Sequence, residues 1–111
     1  MNRKEIIKEY KEKKQTGAVY KITNTVNGKY LIDHSPNLRS VHSHFQFALN
    51  VGNAFDLKLK KDWKEFGGEA FKLEILEELE QREDQSQAEF MEELKTLEQL
   101  LRANFDKADE Y

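Results

Sequence analysis

Residues 17–33 read Gly17-Ala18-Val19-Tyr20-Lys21-Ile22-Thr23-Asn24-Thr25-Val26-Asn27-Gly28-Lys29-Tyr30-Leu31-Ile32-Asp33. Val19, Ile22 and Val26, with Tyr20 among them, are the β-branched and aromatic residues that suit a strand. Asn27-Gly28 follows, a pair in which both residues tolerate positive φ, so the chain is predicted to turn there and return through Lys29–Ile32 as a hairpin. Ser35-Pro36-Asn37 ends the pattern, because proline lacks the amide proton that a central strand needs.

On the N-terminal side, residues 2–14 combine Ile6, Ile7 and Tyr10 with Glu9/Lys13 and Lys8/Glu12 at helical (i, i+4) spacing, so a short amphipathic helix is expected within 1–16. On the other side, Leu38, Val41, Phe45, Ala48 and Leu49 recur at three and four residues and share one helix face, with Val51-Gly52-Asn53 as the stop. A second helix is predicted over Leu57–Phe66, where Leu57, Leu59, Trp63 and Phe66 bracket four lysines before Gly67-Gly68 ends it. Phe71, Leu73 and Ile75 alternate with Lys72 and Glu74, the period of a half-buried strand. From about Gln85 to Phe105, Phe90, Met91, Leu94, Leu97, Leu100 and Leu101 form the apolar face of a last helix beneath acidic residues. The simplest way to bury these faces is an α+β arrangement, a small three-stranded antiparallel sheet flanked by helices, spanning 17–105 with a tail at 106–111.

The chain has 111 residues, 35% charged and 38% apolar, enough for one packed core and too few for two. The absence of cysteine excludes disulfides, thiolate metal sites and thiol catalysis. No apolar run approaches the roughly 20 residues needed to span a bilayer, and the charged start lacks the apolar region of a secretory signal, so a cytoplasmic protein with no membrane partner is expected. The net charge of -3 is unevenly spread, with thirteen Lys or Arg against seven acids in residues 1–66 and five against fourteen in 67–111. That asymmetry predicts a basic face and an acidic one.

The hairpin Tyr20–Lys29, the turn Ser35-Pro36-Asn37-Leu38 and the passage Asp62–Glu77 together resemble GIY-YIG nucleases, three separated blocks agreeing in order. Ala18-Val19-Tyr20 stands where that family has Gly-Ile-Tyr, and Leu31-Ile32-Asp33 where it has Tyr-Ile-Gly. The resemblance implies phosphodiester hydrolysis with one divalent metal, served by two tyrosines, an arginine, often a histidine one helical turn on, and a metal-binding glutamate. Tyr20 matches the first tyrosine and Glu98 best matches the glutamate. The second tyrosine falls at Leu31, the arginine at Val41 and the histidine at Phe45, none of which can ionise. Tyr30 is one residue from the second position and therefore on the opposite strand face. Arg39 lies about 200° around a helix from Val41. His42 and His44 are nearby candidates on diverging helix faces, His34 stands at the strand exit, and Asp33 puts a carboxylate where a phosphate would be repelled.

Two functional readings follow. In the first the domain is catalytically silent or strongly impaired, needs no cofactor, and works by binding. Its partner is DNA, gripped by Lys58, Lys60, Lys61 and Lys64 with Lys11, Lys13 and Lys14, or a protein, met by the acidic last helix, as a regulatory or inhibitory accessory. In the second it is an endonuclease using Tyr20, Arg39, His42 or His44, with Glu98 holding Mg or Mn. The segment His42–Phe47 also places Phe45 and Phe47 on different helix faces, which leaves monomer and homodimer both open.

Overall fold

In the computed structural model, which describes residues 15–111, strand β1 (Thr16–Asn24) lies in the middle of a three-stranded antiparallel sheet. Strand β2 (Tyr30–Ser35) pairs with one edge of β1 and β3 (Phe71–Glu80) with the other, giving the order β2-β1-β3. Helices α1 (Leu38–Val51) and α2 (Lys60–Phe66) cover one face, and α3 (Gln87–Arg102) covers the other. The helix expected over 1–16 falls on residues outside those described, except that Thr16 already opens β1.

Because both faces of β1 are covered, Gly17, Ala18, Val19 and Tyr20 are all buried and the strand reads as an unbroken apolar run. Tyr20 and Ile22 pack with Leu31, Val41, Phe45, Leu59, Trp63 and Phe71 on the α1/α2 side. Val19, Tyr30 and Ile32 pack with Leu97, Leu101 and Phe105 on the α3 side, where the Lys21 ammonium lies 4.4 Å from the centre of the Phe105 ring. Helix α3 approaches β1 closely because residue 17 has no side chain. A Cβ built there would meet the Ser35 carbonyl oxygen at 2.9 Å and Leu94 Cδ1 and Phe90 Cζ at 3.0 Å.

Helices α1 and α3 begin on side-chain caps that satisfy free backbone N–H groups. Asn37 caps α1 by accepting from Ser40 N at 3.2 Å, and Gly52 ends it at φ 75° with its N–H on the Ala48 carbonyl. Ser86 and Glu89 form a reciprocal capping box, which starts α3 at Gln87 rather than at Gln85. The helix expected over Leu57–Phe66 divides into a 3-10 turn, Leu57–Leu59, and α2. Asp56 caps the turn at Lys58 N, and the tighter winding throws Leu57 to solvent at 86% exposure while Leu59 and Trp63 stay in the core. Leu100 is likewise exposed on α3.

The hairpin loop is longer than a two-residue Asn27-Gly28 turn. Thr25 donates through N and Oγ1 to the Ala70 carbonyl, at 2.8 and 2.7 Å, and so leaves the ladder. Val26 becomes a loop residue, 62% exposed. The side chain of Asn24, fully buried, accepts from Val26 N at 3.0 Å and donates to the phenol oxygen of Tyr111 at 3.1 Å. Tyr111 in turn donates to Asp62 at 2.7 Å, and its backbone N–H bonds the Tyr30 carbonyl at 2.9 Å. Residues 106–111 thus strap the end of β2 to α2.

Two stability effects are expected. Gly17→Ala should cost about 1–3 kcal/mol in urea unfolding, because part of what it strikes is backbone that cannot swing aside. Asp62 is held below the ordinary carboxylate range, first by the Tyr111 hydroxyl and then by Asn27 and Asn24, despite an opposing contribution from burial. A lowered carboxylate stabilises the fold above its unfolded value near 4, and that stability disappears as pH falls through the folded value. Unfolding midpoints measured from pH 6 to pH 2 should therefore fall less steeply for Tyr111→Phe than for the parent protein.

Candidate functional site

Tyr20 is opposite Asp33 in the β1/β2 ladder, and Val19 is opposite His34. Successive β2 residues alternate between faces, so Asp33 starts on the Tyr20 side and His34 on the α3 side. They meet at the rim because β2 is an edge strand. Asp33 Oδ1 accepts the His34 backbone N–H at 2.8 Å, which brings that oxygen to 3.7 Å from His34 Nδ1. The Ser35-Pro36-Asn37 turn, held by Ser35 Oγ accepting from Asn37 N, then carries the chain away and leaves this rim uncovered by further strand.

From α3, Glu98 reaches the same place. Its Oε1 is 2.8 Å from His34 Nδ1, and its Oε2 is 3.2 Å from Arg102 Nε one helical turn on. Arg102 is itself fixed, donating to the Ile32 carbonyl at 2.9 Å and pairing with Glu110 at 2.7 Å. Among the described residues, Asp33, His34 and Glu98 are the one group of three ligand-type side chains whose atoms all lie within 4.8 Å of one another. Two carboxylate oxygens and an imidazole nitrogen suit a divalent cation, so the residues present fit the metal that the resemblance implies.

Tyr20 packs edge-on against Phe55, with ring centres 5.8 Å apart. Its phenol is pushed well above the ordinary tyrosine range, chiefly by burial and then by the carboxylates of Asp33, Asp56 and Glu98. It is therefore a neutral hydroxyl at every physiological pH, able to donate a hydrogen bond and poor as an anionic nucleophile.

Of the other residues that the sequence singles out, Arg39 and His42 are exposed on α1, and His44 is exposed there with its ring stacked on Phe55, the ring centres 4.2 Å apart. Lys58, Lys60, Lys61 and Lys64 are exposed on the 3-10 turn and α2. Tyr30 projects to the α3 side, where its hydroxyl donates to the Asp106 carbonyl at 2.8 Å. Leu31, Val41 and Phe45, at 2, 3 and 8% exposure, pack around Tyr20. Sequence reasoning missed Arg102 and the joining of Asp33 and His34 with Glu98. The (i, i+4) spacing of Glu98 and Arg102 was a visible signal; the contact across 64 residues was not.

The sheet order and its flanking helices match a GIY-YIG-like α+β architecture. In agreement, the chain is similar to the solved catalytic domain of the intron endonuclease I-TevI, in a mutant form. The identity is 20% and the TM-score 0.59, over 86% of this chain and 91% of that one, a likeness that establishes the fold. No protein-family model and no curated protein matches the sequence. No helix among the described residues is long and apolar enough to cross a membrane.

The Tyr20 environment has a direct readout. In a spectrophotometric tyrosine titration, the difference between the parent protein and Tyr20→Phe should be a phenol that ionises above the usual value near 10. A difference curve centred at that usual value would mean that the phenol is solvated rather than buried beside carboxylates.

Proposed function

We propose that this domain works by binding, with phosphodiester cleavage lost or strongly impaired, and that its partner is nucleic acid held through phosphate contacts. The observation that supports it is the packing of Leu31, Val41 and Phe45 around Tyr20. Where the GIY-YIG pattern has a second tyrosine, an arginine and a histidine, this chain has buried hydrocarbon that cannot move a proton or stabilise an anion. Loss of one transition-state donor costs about 100- to 1000-fold, so the joint loss leaves little above background.

Phosphate contacts need mobile cations on an accessible surface. Lys58, Lys60, Lys61 and Lys64 meet that requirement, since all four are exposed on one short segment. Lys11, Lys13 and Lys14 extend the basic composition of this half of the chain. Binding of this kind is salt-dependent and indifferent to sequence. A protein partner for the acidic α3 is the rival occupant.

A second reading, cleavage through substitute groups with Mg or Mn, is favoured by one observation: Glu98 has Asp33 and His34 beside it. In that case Asp33 and His34 join Tyr20 and Glu98 in the substitute set, with Arg39, His42 or His44 from α1 as further members.

Fluorescence anisotropy with single-stranded DNA, duplex DNA and RNA over a series of salt concentrations tests the binding reading. The parent protein should bind with an affinity that falls as salt rises. Replacing the four lysines with alanine should weaken binding and reduce the log–log salt slope by about 0.9 for each duplex phosphate contact removed. Absence of binding at low salt would overturn the nucleic-acid reading in favour of a protein partner. Incubation of the same substrates with Mg or Mn should give no cleavage; cleavage abolished in both Tyr20→Phe and Glu98→Gln would establish the second reading.

A further inference from the structure

We propose that Asp33, His34 and Glu98 form a binding site for a divalent transition metal of the zinc or cobalt type, with Arg102 as the charge partner of Glu98. The site clamps the edge of β2 to α3, and it does so whether or not the domain cleaves anything. It goes beyond a single glutamate holding Mg, because the imidazole changes the class of cation that is preferred.

The distances carry the argument. Ligand atoms about 2.0–2.2 Å from a cation, at angles of roughly 90–110°, lie about 2.8–3.6 Å from each other. His34 Nδ1 is 2.8 Å from Glu98 Oε1 and 3.7 Å from Asp33 Oδ1, which spans that interval to within about 0.1 Å. No ligand atom is more than 4.8 Å from another, and the closing movement falls to the Asp33 carboxylate, whose side chain is 44% exposed. The other two ligands are anchored: His34 by its place in β2 and Glu98 by α3, both largely buried.

The surroundings match a metal site as well as the ligands do. A ligating carboxylate is ordinarily steered by a second group on its other oxygen. Here Arg102 pairs with Glu98 by charge, Nε lying 3.2 Å from Oε2 without the alignment of a hydrogen bond, while Oε1 lies toward His34. The Arg102 charge is itself countered by Glu110 at 2.7 Å, so the two ligand carboxylates keep an uncompensated negative charge for a cation. A bound ion would take the place of the hydrogen bond between Nδ1 and Oε1. Imidazole nitrogen suits Zn or Co, whereas Mg prefers an all-oxygen octahedral shell and gives up its waters reluctantly. Three protein ligands at an open rim leave further positions for water or an anionic ligand.

The test uses the full chain without nucleic acid, so its outcome is separate from that of the binding and cleavage assays. Isothermal titration calorimetry with zinc and cobalt chloride, and the visible absorption of bound cobalt, should show one equivalent bound. Magnesium at the same concentrations should give no saturable heat. His34→Ala should weaken zinc or cobalt binding at least about tenfold and remove the cobalt bands. Asp33→Asn, a change at an exposed carboxylate that spares the core, should weaken binding in the same direction. His42→Ala, which alters an exposed histidine on α1, should bind as the parent does. Absence of binding by the parent protein would overturn the proposal. So would equal binding of magnesium, or binding unaffected by His34→Ala and Asp33→Asn in variants with the parent's circular dichroism.

Discussion

Burial of β1 on both faces is the constraint on which the rest of this domain depends. A strand in the middle of a small sheet presents two sets of side chains, and each set must be covered for the backbone hydrogen bonds around it to be sheltered from water. Helices α1 and α2 cover Tyr20 and Ile22, and α3 covers Val19. The glycine at position 17 sets how near α3 can come, and that distance in turn determines where Glu98, two turns beyond Phe90, arrives relative to β2.

The same packing sets the surroundings of Tyr20. A polar group placed beside a buried tyrosine costs stability, because unpaired charged and hydroxyl groups are then held near a core. Here the core that holds Tyr20 is completed by Leu31, Val41 and Phe45. Burial of such side chains contributes about 1.5–3 kcal/mol each relative to exposure, a large gain for a domain of this size. The gain comes with a phenol that burial and three neighbouring carboxylates keep protonated.

A cluster of polar side chains lies at the rim, where β2 has no further strand beside it. There an aspartate and a histidine adjacent in sequence, which a flat central strand would hold on opposite faces, converge on a glutamate from α3. The arrangement owes its order to Arg102, which ties the helix to the Ile32 carbonyl and to Glu110 in the strap that crosses back over β2. The strap fixes the start of the edge strand, where Tyr111 binds Tyr30 and Asp62, and Arg102 restrains its middle at Ile32.

Much of the fold was legible in the sequence because it is written in local periodicities. Alternation marked β3, the three-and-four spacing of Val41, Phe45 and Ala48 marked α1, and Gly52 and Gly67 marked helix ends. The errors arose where a distant or flanking group overrode a local preference: Ala70 drew Thr25 out of the hairpin, and the Asp56 cap tightened the start of the Leu57–Phe66 helix into a 3-10 turn. Sequence alone also determined which residues stand where a nuclease needs ionisable groups, since an apolar side chain cannot ionise in any fold. It did not determine the grouping of Asp33, His34, Glu98 and Arg102. Only the tertiary structure decided that, because the meeting depends on an edge strand, a close helix and a contact between residues 64 positions apart, none of which has a local signature.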